Sequence, residues 1–163
     1  MDRVYLIADT HFNHKNIIRY CSRPFSDVDD MNRQLVRNWN AVVSKNDIVY
    51  FLGDWGLNYG KKDLSYWVSR LNGKILNIKG SHDYYSTAPD RQMLIYHGIR
   101  FMLIHNPKRI CNYDFDWLIH GHLHNNDIAC YPFVNREYHT VNVSVELIDY
   151  RPISMEEILC QLN

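Results

Sequence analysis

Short apolar runs separated by polar clusters set the rhythm of the chain. Val4 to Ala8, Ile48 to Leu52, Ile75 to Ile78, Phe101 to Ile104 and Trp117 to Ile119 are each rich in aliphatic or aromatic residues and end at a turn residue or polar cluster. That is the pattern of buried strands. Between the first two runs, Val28, Met31, Leu35, Trp39 and Val42 recur at spacings of three and four, so they share one face of an amphipathic helix. Ser26 or Asp27 is its expected N-cap. A second helix is predicted from Asp63 to Leu71, stopped by Asn72-Gly73. Thr140 to Val145 alternates polar and apolar, which predicts a strand with one wet face. Ser154 and Glu157 ahead of Ile158 and Leu159 have the capping-box pattern of a short closing helix. Strand and helix alternate, as in an α/β fold, and 163 residues predict one domain over residues 1–163.

Composition narrows the partners. Hydrophobic residues at 46% and charged residues at 22% are ordinary for a globular chain and exclude disorder, collagen and coiled coil. Eighteen basic side chains balance eighteen acidic ones, so no global positive field exists to hold long duplex nucleic acid. Cys21, Cys111, Cys130 and Cys160 show no Cys-x-x-Cys spacing and read as reduced thiols of a cytoplasmic protein. The first apolar run ends at Asp9, too soon for a signal segment or a membrane span.

Candidate chemistry follows each run. Asp9-Thr10-His11 comes after the first, Gly53-Asp54 after the second and Gly80-Ser81-His82-Asp83 after the third. His105-Asn106-Pro107 and Gly121-His122-Leu123-His124 follow the fourth and fifth. The carboxyl ends of strands in open α/β sheets are where ligands bind, so five segments aim Asp and His at one crevice. Imidazole with carboxylate and no thiolate suits divalent Mn, Fe, Zn, Co or Ni. Asp9, His11, Asp54, His105, His122 and His124 exceed the three protein ligands usual for one catalytic zinc. A dinuclear site sharing one carboxylate accommodates the number. Such a pair of ions deprotonates a bridging water near neutral pH and clamps phosphoryl oxygens for in-line attack.

In this order the segments resemble the calcineurin-like metallophosphoesterases, in particular small single-domain predicted phosphoesterases. The pattern Asp-x-His, Gly-Asp, Gly-Asn-His-Asp/Glu, His, Gly-His-x-His is matched from Asp9 to His124. The resemblance implies a four-layer αββα sandwich, two mixed sheets flanked by helices, and two divalent ions per chain, with Mn first and Fe, Zn, Co or Ni as alternatives. By the same resemblance Asp9, His11 and His124 hold the first ion, Asp54 bridges, and His105 and His122 hold the second. His82 becomes the general acid or a donor to developing charge. Ser81 stands where the family carries Asn, whose amide oxygen sits on the second ion. A single short hydroxyl is expected to hold that ion more weakly or through a water.

Substrate contacts are expected in the loop after the first motif. Lys15, Arg19 and Arg23 are placed there by sequence to meet phosphate oxygens, the alternative being a solvated loop and helix start. Small predicted phosphoesterases that resemble this chain share its His-Phe-x-His, Asn-Ile and Arg-Pro-Phe, which adds Asn13 and His14 as substrate-binding residues. Arginine suits phosphate bidentately. Tyr84 joins them, with Trp55, Tyr59 and Tyr85 as a rim on which a base stacks, the alternative for these aromatics being core packing. A chain this short has little room for a cap, and an open cleft admits a phosphate substituted on both sides. The expected function is hydrolysis of phosphodiesters, small or cyclic nucleotides included. The alternatives are a phosphomonoesterase on a small phosphorylated substrate and a non-catalytic metal-dependent interaction module.

Overall fold

The apolar runs pair into two mixed sheets that share one core. The structure, a computed structural model, describes residues 2–57, 63–83, 86–111 and 114–162. In chain order its elements are β1 (Val4–Ile7), α1 (Lys15–Tyr20), α2 (Val28–Val42), β2 (Ile48–Phe51), α3 (Leu64–Val68), β3 (Lys74–Asn77), β4 (Arg91–Tyr96), β5 (Ile99–Ile104), β6 (Trp117–His120), β7 (Val134–Asn135), β8 (Thr140–Asn142), β9 (Ile153–Ser154) and α4 (Met155–Leu162). One sheet runs β3-β2-β1-β9 and the other β4-β5-β6-β8-β7. β1, β2 and β3 are parallel, as are β5, β6 and β8, while β9, β4 and β7 pair antiparallel at the edges.

Strand parity decides what each face meets. Leu6, Ile7, Val49 and Phe51 of the first sheet share a continuous core with Phe101, Leu103, Ile119 and Val141 of the second. The alternate residues Met102, Ile104 and Leu118 form a separate cluster covered by Ile110 and Phe115, so a loop and the 3-10 turn Pro107–Arg109 lie over this face. α2 buries Met31, Leu35 and Trp39, with the Trp39 ring stacked 6.5 Å from Phe51. Asp27 caps it by accepting from the Asp30 N–H, and Asp63 caps α3 in the same way through Tyr66. The capping box of α4 is reciprocal. Ser154 Oγ accepts from the Glu157 N–H at 3.1 Å, and Glu157 Oε2 accepts from the Ser154 N–H at 2.9 Å.

Three local expectations change. β8 has no wet face, because β6 and β7 flank it and Thr140, Val141 and Asn142 are all buried. Its polar side chains serve the site described below. β4 is an additional edge strand joined to β5 by His97-Gly98, both at positive φ (49° and 81°), as a two-residue type I′ hairpin requires. The loop after the first motif contains α1, which buries Ile17 and leaves Lys15 and Arg19 exposed. No helix among the described residues is long and apolar enough to cross a membrane.

Candidate metal centre

Every motif lies just past a strand's carboxyl end, at the rim where the two sheets meet. Backbone bonds lace this rim: Ala8 N–H to Val143 O at 3.0 Å, Asp9 N–H to Gly53 O at 3.0 Å, His11 N–H to Asp54 O at 3.2 Å and Gly121 N–H to His105 O at 3.0 Å. The chain reverses sharply at each tip. Asp9, His11, Asp54, His122 and His124 all have φ between 49° and 73°, a left-handed conformation that costs a non-glycine residue of order 1–3 kcal/mol. Such strain persists only where the surroundings over-determine it, and it clusters at working sites. Gly121 makes the approach possible, since a Cβ there would sit 2.6 Å from Asp9 Oδ2 and 2.5 Å from the Ala8 Cβ.

The turns deliver two sets of donors. Oxygen and nitrogen atoms of Asp9, His11 and His124 lie within 4.8 Å of one another, and so do those of Asp54, His105 and His122. Between the sets, His11 Nε2 is 3.7 Å from Asp54 Oδ2; within them, His124 Nε2 is 4.0 Å from Asp9 Oδ1 and His105 Nε2 is 3.3 Å from Asp54 Oδ2. Most of these spacings are too long for hydrogen bonds. They suit ligands about 2.1 Å from a shared ion, which stand about 3–4 Å apart. Asp9 Oδ1 and His11 Nε2 are buried with no hydrogen-bond partner among the described residues. An orphaned buried acceptor and imidazole nitrogen are costly, and a cation resolves both. The six residues therefore fit a metal-binding role.

Supporting groups fix the imidazoles. His105 Nδ1 bonds Leu52 O at 2.7 Å and His124 Nδ1 bonds Glu146 Oε1 at 3.0 Å, so each ring turns its Nε2 toward the centre, the arrangement that orients metal-ligating histidines. Ser144 Oγ donates to Asp9 Oδ2 at 2.7 Å. Asn142 donates to His124 O and accepts from Ser144. Asp83 accepts from the N–H groups of Asp54 and Gly80 at 3.0 and 2.9 Å. Asn142, Ser144 and Glu146 were missed by sequence reasoning. Their only signal was a polar alternation that reads equally well as a solvent-facing strand.

Charge is tightly balanced here. Burial alone would raise the Asp54 carboxyl, but the hydrogen bond and charge of His105 and the His82 N–H hold it far below the carboxylate range. Burial pushes Asp9 upward, against the pull of His124 and His105. Burial and the His124 charge push His11 well down, and burial with His105 takes His122 down to about 4, leaving both rings neutral and ready to ligate.

The expected substrate residues separate. Arg23 is not available to substrate: its guanidinium is fully buried, donating to Thr10 O at 2.9 Å, to Asp9 O at 2.8 Å and to Glu146 Oε1 at 2.9 and 2.7 Å. Asn13 is also structural, its Oδ1 accepting from Asn32 and Trp67 and its Nδ2 donating to Leu57 O. Both are polar residues whose hydrogen bonds hold the loop. His14 remains at the site, edge-on to His11 at 5.6 Å. Tyr84, Tyr59 and Tyr85 lie outside the described residues. Trp55 stacks on Phe51 at 3.5 Å and donates to Asn77, which makes it packing rather than a free stacking platform. His82 is exposed at the lip, with its N–H on Asp54 Oδ1 at 2.8 Å. His120 is buried, its Nδ1 on Gly121 O.

Ser81 Oγ lies 3.3 Å from His122 Nδ1, at the edge of the second donor set. Replacing Ser81 by Asn, which adds an amide oxygen on a longer side chain, is expected to tighten any metal binding at the Asp54, His105 and His122 donor set by about ten-fold or more. Titration of Mn or Zn into both proteins checks this, and equal second-site affinities would remove the idea.

No protein-family model matches the chain. It is 49% identical to an uncharacterized protein of Methanocaldococcus jannaschii over 161 residues, 98% of this chain and 90% of that one. The crystal structure of a protein of unknown function from Aquifex aeolicus is similar with a TM-score of 0.77 at 27% identity, covering 99% of this chain and 100% of that one. YfcE, a phosphoesterase from E. coli, is similar with a TM-score of 0.47 at 17% identity, covering 94% and 82%. With its ordered Asp and His motifs met at the rim of two mixed sheets, the chain thus belongs to one family with the Methanocaldococcus jannaschii protein.

Proposed function

We propose that the protein is a metal-dependent phosphodiesterase acting on a small phosphoester or nucleotide, with two divalent ions, Mn foremost. The observation that carries this reading is the meeting of two donor sets where Asp9 Oδ1 and His11 Nε2 are buried without hydrogen-bond partners among the described residues. Asp9, His11 and His124 would hold one ion and His105 and His122 the other, with Asp54 between them. When bound, such ions supply Lewis-acid charge to phosphoryl oxygens and acidify water. The chain's own contribution is placement. Glu146 and Leu52 O orient His124 and His105, and Ser144 orients Asp9. His82, half-exposed and tied through its backbone to Asp54, is placed to give a proton to the leaving oxygen.

Parallel assays with bis-p-nitrophenyl phosphate and p-nitrophenyl phosphate, each with Mn and then with a chelator, test this. Faster, chelator-sensitive hydrolysis of the diester is the expected result. Preference for the monoester would make the protein a phosphomonoesterase. Absence of chelator-sensitive turnover on both would favour a metal-dependent interaction module.

A further inference from the structure

The removal of Arg23 from the substrate side leaves a question of charge. The cation expected from the loop to meet a phosphate is committed to Glu146, so side-chain cations for an anionic substrate have to come from elsewhere. The opposite flank supplies them. A cavity of about 230 Å³ opens beside the second donor set, bounded by Ser81 and His105 and lined by Lys79, Arg91, Arg109 and Asp90. Three cations face one carboxylate there.

The cavity is part of the fold's framework. Lys79 follows β3 and its N–H bonds Pro89 O at 2.9 Å, which joins the two segments forming one wall. Arg109 ends the 3-10 turn that starts two residues after His105. Asn106 caps that turn by accepting from the Lys108 N–H at 3.0 Å, and the Arg109 N–H bonds Asn106 O at 3.1 Å. Arg23 is paired with Glu146, Lys74 with Asp2, Arg100 with Asp114 and Asp116, and Arg151 with Glu157. Lys79 and Arg109 stand outside these pairs. Ser81 and His105 line the cavity on the side of the donor sets, with Ser81 Oγ 3.3 Å from His122 Nδ1.

We propose that this cavity is an anion subsite, and that the substrate is a phosphoester carrying a second phosphate, which Lys79 and Arg109 hold while the first sits at the donor sets. The proposal rests on the phosphoesterase reading for the position of the first phosphate and adds the substrate's chemical class. An arginine fork and a lysine point charge together match a terminal phosphate.

Calorimetric titration of the Mn-loaded protein with thymidine 5′-monophosphate and thymidine 3′,5′-bisphosphate tests it, because the ligands differ only in the second phosphate. The bisphosphate is expected to bind about ten-fold more tightly or better. The double variant Lys79→Met and Arg109→Gln is expected to shrink that gap to about two-fold. Both residues sit at the surface of the cavity, and a circular dichroism spectrum matching the parent protein verifies folding. If the variant fails to fold, each single variant is titrated instead and is expected to lose part of the gap. Equal affinities for the two ligands, binding of neither, or a gap that survives the substitutions would overturn the subsite. Hydrolysis of bis-p-nitrophenyl phosphate, which has no second phosphate, reads the catalytic proposal separately. Lost turnover with an intact affinity gap counts against catalysis, and intact turnover without a gap counts against the subsite alone.

Discussion

Replacing Arg23 by alanine is expected to destabilise the protein by about 3–5 kcal/mol, the cost of stranding a buried charge. Its guanidinium and the Glu146 carboxylate have side-chain exposures of 0% and 1%, so the charge left behind is buried away from bulk solvent. Two backbone carbonyls, Asp9 O and Thr10 O, lose their donors at the same time. Against a total stability of about 5–15 kcal/mol, that loss should lower the melting temperature by roughly 6–20 °C. An arginine lying free in a substrate cleft, where the sequence placed it, would change stability by about 0.5 kcal/mol or less. Denaturant unfolding in the presence of a chelator measures the difference without a contribution from metal binding.

The same pair makes a pH prediction. Burial would raise the Glu146 carboxyl, but the His124 hydrogen bond and the charges of Arg23 and His124 hold it down to about 2, against an ordinary value of 4.5. A carboxyl with a depressed folded-state pKa adds stability that is fully present above its unfolded value and is lost as pH falls through the folded one. The acid limb of stability should therefore run between about pH 4.5 and 2 for this group. Without Arg23 it should move to higher pH. Substituting both partners with apolar residues, Arg23→Met with Glu146→Leu, should cost less than Arg23→Met alone, because a removed pair leaves no uncompensated charge. A double substitution as damaging as the sum would show that the two residues act independently.

What the sequence disclosed and what it withheld divide along physical lines. Asp9, His11, Asp54, His105, His122 and His124 were legible because short apolar runs locate strand ends, and residues just past those ends share a crevice whatever the details of packing. The amphipathic α2 and the capping box of α4 were legible because their signals are local. The hydrogen bonds that bury Arg23 and Asn13 were not legible, because nearness to a motif fixes which loop a polar residue joins, not which way it points. Only the folded neighbourhood shows that Asn32 and Trp67 saturate Asn13. Thr140 to Ser144 misled for a related reason. Alternation marks two different faces, and it cannot distinguish water from a buried polar network as the partner of one of them. The left-handed backbone at five ligands had no sequence signal, since none of the five is a glycine. Position for position, the chain accepts strain that glycine would relieve, because each place needs a side chain that can grip a cation.

Replacing His82 by alanine should lower kcat by about 10²–10⁴-fold on a diester whose leaving group is a sugar hydroxyl. The size of the loss should depend on the leaving group. A p-nitrophenolate is a weak base and departs without a proton, so the same substitution should cost about ten-fold or less on bis-p-nitrophenyl phosphate. The argument rests on position. The His82 ring is 52% exposed, lies 5.8 Å from the His11 ring and keeps its Nε2 4.0 Å from Asp54 Oδ2. It therefore borders the donor sets without belonging to either of them. The residue's other contribution is a backbone N–H to Asp54 Oδ1 at 2.8 Å, which alanine retains. Bound metal, measured by elemental analysis, should accordingly match the parent protein, separating His82 from Asp54 or His105, whose replacement should empty the site. An equal loss on both leaving groups, with metal content intact, would show that the imidazole steadies the phosphate rather than protonating the departing oxygen. A loss that tracks leaving-group basicity assigns it the proton, because only a transferred proton makes the barrier sensitive to how badly the departing oxygen needs one.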